Sequence, residues 1–217
     1  MVMVKNKNRI IKNIFFIKLV IAFVFGFADT VFTQSKSLIN TAHLDHLYEK
    51  ITVQGETMGI IRIYADYPDY NYTEAKGEGI ACVDDAARAE IFYIRYYHLI
   101  PDSNVLSKIE NLTNFLLHMQ AANGFFYNFI WKDHTIDSTY KTSVAKPDWW
   151  TWRAIWALSE AGRFFEINNK QIADKIKPQL DKAVNVTLMW LSKNRYEEYE
   201  YFEGFKIPAW LDRKNVV

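Results

Sequence analysis

"GEGIACVDDAARAEIFYIRYY", residues 77–97, is the stretch whose reading decides the fold. Two adjacent acids, Asp84 and Asp85, stand at the mouth of a run in which Ala86, Ala87, Ala89, Ile91, Phe92, Tyr93, Ile94, Tyr96, Tyr97 and Leu99 leave little polar face. A helix that is apolar nearly all round must be buried on most sides. An Asp at such a start accepts hydrogen bonds from free backbone N–H groups and complements the positive end of the helix dipole. Capping accounts for one of the two acids and leaves the other open as an acid, base or sugar-hydroxyl ligand.

Downstream, the spacing predicts a helix over 103–121 with a single apolar stripe, Val105, Ile109, Leu112, Leu116 and Met119, opposite Lys108, Glu110, Asn111 and Asn114. The alternation then repeats. "DWWTWRAIWALSEAGRFF" (148–165) is apolar round most of its circumference, and 169–194 again carries one stripe, through Ile172, Ile176, Leu180, Val184 and Leu191. Pro178 should kink or split that last helix, because proline removes an internal hydrogen bond. Arg88-Ala89 recurs as Arg153-Ala154, a period of 65 residues, one hairpin plus its connection. Buried and amphipathic helices in alternation suit a double-layered ring, so the expected class is all-α, a partial α/α toroid of helical hairpins. The long aromatic connection 123–147 could form a short β-ribbon over one mouth of it.

Upstream, 36–52 reads as a leading helix with Leu38, Ala42, Leu44 and Leu47 on one side, and 58–79 as extended or looped chain. The expected organisation is a signal peptide over 1–28, a leading helix and extended segment over 29–77, and the partial toroid over 78–217. Five Lys/Arg precede the apolar run "LVIAFVFGF" (19–27), which ends in the small-residue pattern Gly26-Phe27-Ala28, the layout of a secretory signal. This points to a secreted or periplasmic protein, with an uncleaved anchor as the alternative.

Without residues 1–28 the chain holds 21 basic against 25 acidic side chains. That mild acidity, with Lys and Arg interleaved among acids, argues against nucleic acid as a partner. Cys82 is the single cysteine, so no intrachain disulfide can form, and a lone Cys in an apolar segment reads as a small core residue.

"GEGIACVDDAARA", "LLHMQAANGFFYNFI" (116–130) and "DWWTWRAIWALSEAG" (148–162) together resemble secreted bacterial proteins grouped with the six-hairpin, (α/α)6-toroid glycosidases, over about residues 56–213. The resemblance implies a carbohydrate substrate and a glycoside hydrolase activity. A complete ring of that type has more hairpins than the two seen here, so a truncated or split reading frame is expected, with self-association through exposed helices.

Glycoside hydrolysis uses a protonated carboxyl and a second carboxylate. The candidate catalytic residues are Asp84, Asp85 and Asp148, which opens the second buried helix and could equally cap it. Candidate substrate contacts are Glu78 on the preceding loop, Tyr127 and Asn128 in "FFYNFI", and the flat faces of Trp149 and Trp150. Trp152 and Trp156 read as core. Arg88 and Arg153 either bind an acidic sugar or pair with the acids at the helix starts. No cofactor or metal is called for: His43 and His46 lack a third ligand, and "WKDHTID" lacks the spacing of a calcium loop. The alternatives are a polysaccharide lyase or sugar epimerase, or a sugar-binding or structural protein without turnover.

Overall fold

Cys82, not an aspartate, caps the first buried helix. The computed structural model describes residues 38–74, 76–193, 199–202 and 204–208, so the signal-peptide reading of 1–28 lies outside the described residues. In chain order the elements are α1 (Ala42–Leu47), β1 (Tyr48–Val53), β2 (Glu56–Ile61), β3 (Tyr64–Asp66), β4 (Asn71–Thr73), β5 (Ala81–Cys82), α2 (Val83–Leu99), α3 (Ser103–His118), β6 (Phe129–Ile130), α4 (Trp149–Asn168), α5 (Lys170–Lys193), β7 (Tyr199–Phe202) and β8 (Phe205–Pro208).

The expected all-α class is corrected. Among the described residues helix makes up 52% and strand 20%, and the strands form four antiparallel two-stranded sheets, β1-β2, β3-β4, β5-β6 and β7-β8. The largest departure is the leading helix, which stops at Leu47 and gives way to a hairpin pairing Tyr48 with Ile61 and Val53 with Glu56. Its cause is local. Ile51, Thr52 and Val53 favour extended chain, and Gln54 and Gly55 both take positive φ, 52° and 85°, as a tight hairpin turn requires. The expected ribbon in 123–147 is instead a short strand, β6, paired with β5 upstream.

The two expected hairpins are present. Asp102 starts α3, accepting from the N–H groups of Asn104 (2.8 Å) and Val105 (3.2 Å). Helices α2 and α4 run side by side in the same direction, with Asp84 meeting Arg153 near their starts and Tyr97 packing edge-on against Phe164 near their ends, ring centroids 5.2 Å apart. Alanines on both helices, Ala86, Ala87, Ala154, Ala157 and Ala161, are buried and permit the close approach. All five residues of the α3 stripe are buried. The α5 line differs: Ala173, Ile176 and Ala183 are buried, while Val184, Leu188 and Met189 face solvent. Helix α5 is not split at Pro178, which removes one internal hydrogen bond from 24 residues of helix.

Strand β2 lies on α3, with Met58, Ile60 and Ile61 buried. Asp45 of α1 anchors the amino-terminal side, accepting from the Tyr93 hydroxyl at 2.7 Å and pairing with Lys108 at 2.5 Å. No helix among the described residues is long and apolar enough to cross a membrane.

Candidate functional site

The site is assembled where β5 runs into α2. Gly79 has φ +78°, and a Cβ there would fall 2.0 Å from the Ile130 carbonyl oxygen, so only glycine lets these backbones meet. Ile80 N–H donates to that same carbonyl at 2.9 Å. The chain is thereby locked onto β6 immediately before the acids.

Three of the first free N–H groups of α2 are satisfied from elsewhere. Val83 N–H donates to the Asn128 carbonyl (2.8 Å), Asp84 N–H to Asn128 Oδ1 (3.4 Å) and Asp85 N–H to Cys82 Sγ (3.4 Å). Neither aspartate side chain is used as the cap, which corrects the expectation that helix initiation occupies one of them. Both carboxylates are left for ion pairs. Asp84 binds the Arg153 guanidinium from α4 and lies 3.6 Å from Arg88 Nε. Asp85 pairs with Arg88 and accepts from the Cys82 thiol at 3.2 Å.

The electrostatics follow from this packing. Burial pushes the Cys82 thiol well above its usual pKa, and the neighbouring Asp85 and Asp84 charges push the same way, so the sulfur is a neutral donor. Burial works against the charge on Arg88, but Asp84 and Asp85 outweigh it and raise its pKa. Asp84 and Asp85 remain partly exposed, with 17% and 27% of their side chains accessible, so the cluster opens to solvent.

Asp148 belongs to a second cluster. It caps α4 through Oδ1, which accepts from Trp149 N–H at 2.9 Å, and its Oδ2 pairs with Lys146 Nζ at 2.9 Å. Trp149 is half-buried and meets Trp150 edge-on, centroids 4.8 Å apart. Trp150 is fully buried, and its indole N–H donates to the Phe126 carbonyl at 2.7 Å, so it has no free face for a sugar. Neither family models nor curated proteins match this chain.

Asn128, expected as a substrate contact, is 2% exposed and acts as a strut: besides holding the α2 start it donates through Nδ2 to the Thr142 carbonyl at 3.1 Å. Tyr127 is half-buried and packs against the core, and Glu78 is half-buried on the loop before β5. Trp156 is 45% exposed with the Arg95 guanidinium over its ring, which corrects its reading as core, and Trp152 is only half-buried, beside Trp190. Among the described residues no group of three or more His, Cys, Asp or Glu is placed to hold a metal ion.

Two carboxylates were missed. Glu90 on α2 is fully buried, accepts from the Thr113 hydroxyl of α3, and has a pKa raised to about 8 by burial. Asp137 is buried in the 123–147 connection, where Oδ1 accepts from the N–H groups of Thr139 (3.0 Å) and Tyr140 (3.1 Å). A signal existed for Glu90: a lone acid in a run apolar all round has nowhere to go but the interior.

Proposed function

We propose that this chain is a carbohydrate-active protein, a glycoside hydrolase that draws its carboxylates from Asp84, Asp85 and Asp148. The observation that carries the reading is the cross-helix cluster in which Asp84 of α2 is gripped by Arg153 of α4 while its carboxylate stays partly open to solvent. Two guanidiniums compensate Asp84, which suits it to the role of the charged partner, nucleophile or base. Asp85 or Asp148 would supply the proton. Of their cations, Arg88 and Lys146, each is about half exposed and able to swing away from its acid, since surface ion pairs hold weakly. Trp149, half-buried beside Asp148, offers a stacking face. The resemblance of "VDDAARA" and "DWWTWRA" to six-hairpin glycosidase sequences supports the same substrate class.

A second reading, sugar binding without turnover, is favoured by one observation. Each of the three acids already has a cation: Arg153 and Arg88 on Asp84, Arg88 on Asp85, Lys146 on Asp148.

Reducing-end release from neutral and uronic-acid oligosaccharides separates the two. Hydrolysis that falls at least a hundredfold in Asp84→Asn, and in Asp85→Asn or Asp148→Asn, is the expected result. Binding with no product supports the second reading, and full activity in all three variants removes the site assignment.

A further inference from the structure

We propose that the β3-β4 hairpin is a binding platform for neutral polysaccharide, separate from the aspartate cluster. Within "YADYPDYNYT" (64–73), Tyr64, Tyr67, Tyr70 and Tyr72 are all exposed, Tyr67 to 82%. Ring contacts join most of them to α1 in a continuous line. Tyr67 meets Tyr70 at 6.3 Å between centroids, Tyr70 meets His43 at 6.0 Å and His46 at 6.5 Å, and His46 meets Tyr72 at 5.1 Å. Behind Tyr72 stands the Arg62 guanidinium, 5.1 Å from the ring centroid and itself paired with Glu49 at 2.5 Å.

The line is held in place before any ligand arrives. His46 Nε2 is 2.8 Å from the Tyr70 carbonyl oxygen, the Tyr72 hydroxyl donates to the His46 carbonyl, and Tyr70 N–H donates to the Asp66 carbonyl at 2.7 Å. Tyr70 has φ +53°, a left-handed conformation that a bulky side chain adopts only under constraint. Such strain persists where the surroundings over-determine it, and it gathers at ligand sites. Fixed rings lose little freedom on binding, which favours affinity.

The chemistry selects the occupant. Tyrosine rings offer flat apolar faces edged by hydroxyls, the complement of a pyranose ring with C–H faces and hydroxyl edges. Asp66, Asp69 and Asn71 alternate with the tyrosines along the hairpin and are exposed, so their oxygens can accept sugar hydroxyl protons. A protein partner would also use tyrosine, but Asp is depleted in the centres of protein interfaces, and the hairpin has no aliphatic anchor larger than Ala65 and Pro68. The two aspartates oppose acidic glycans and nucleic acid. This platform binds polymer without cleaving it, so it stands whether or not the aspartate cluster is catalytic.

The test is native affinity electrophoresis of the full chain through gels containing galactomannan, xylan, β-glucan or polygalacturonate. Retardation by at least one neutral polymer is expected. It should weaken about tenfold in Tyr67→Ala, with circular dichroism unchanged, and persist in Tyr67→Trp, which keeps a flat face. Any turnover of short oligosaccharides should be unaffected by either change. Retardation by none of the neutral polymers, or equal retardation of wild type and Tyr67→Ala, overturns the proposal. So does a dimer in sedimentation that Tyr67→Ala disperses, since the tyrosines would then serve a second copy of the chain.

Discussion

The starts of α2 and α4 look alike in sequence, "CVDD" against "PDWW", and are built in opposite ways. At α4 the acid does the capping: Asp148 Oδ1 takes the Trp149 N–H, and the side chain is committed to its own helix and to Lys146. At α2 the capping is delegated to Cys82 Sγ and Asn128, and the acids are turned outward to Arg88 and Arg153. An acid at a helix start keeps both its oxygens for other partners only when something else satisfies the backbone. The contrast continues inward. One repeat of 65 residues on from Glu90 stands Ile155, so α2 carries a buried ionisable group where α4 carries an aliphatic one.

Glu90 gives the largest expected effect. Its usual pKa near 4.5 applies in the unfolded chain, while burial raises it to about 8 in the fold, with Thr113 acting weakly the other way. Between those values the folded state holds a proton that the unfolded state has lost, so stability falls as pH rises through this window and is lowest above it. Glu90→Gln removes the dependence. Chemical denaturation at pH 9 should find the variant more stable than wild type by on the order of 3–5 kcal/mol, and within about 1 kcal/mol of it at pH 5. A wild-type curve that is flat between those pH values would break the contrast with α4.

Asn128 and Asp148 test the two capping schemes directly. Asn128→Ala strips a buried acceptor from Asp84 N–H and a buried donor from the Thr142 carbonyl, costing about 2–3 kcal/mol in urea unfolding. Asp148→Ala removes a cap hydrogen bond together with the half-exposed Lys146 ion pair and should cost about 1 kcal/mol, with Asp148→Asn recovering most of it through the cap. Equal costs would mean that Asn128 is not the stronger cap.

Much of the helical architecture was legible because its signal is periodic: the α3 stripe of Val105, Ile109, Leu112, Leu116 and Met119 is buried as the spacing required. Strand β1 was misread because Leu44 and Leu47 extended a helical pattern as far as Thr52, and a turn at Gln54-Gly55 outweighed it. Pairing partners carry no such period. That β6 returns to β5, and that Asn128 serves the start of α2 from 44 residues away, depends on contacts distant in sequence. The same limit explains Trp156, which an all-apolar helix pattern puts inside and the structure puts under Arg95 at the surface. Within the site, the pairing of Arg153 with an acid was among the readings open in the sequence, but its partner Asp84 lies one repeat away on α2 and not at the start of α4.

The smallest expected effects distinguish the two arginines on Asp84. Arg88 is 55% exposed and touches only acids of its own helix, so Arg88→Ala should change stability by less than about 0.5 kcal/mol, and the effect should vanish in high salt. Arg153 is 33% exposed and joins α4 to an Asp84 that is only 17% exposed, so Arg153→Ala should cost about 1 kcal/mol and keep part of that cost in salt, because the pair is less screened. A double-mutant cycle of Arg153→Ala with Asp84→Asn should therefore show coupling, and one of Arg88→Ala with Asp84→Asn almost none. If the two couplings are equal, Asp84 is not held across the helices, and the outward-turned acid at the start of α2 is an ordinary surface carboxylate.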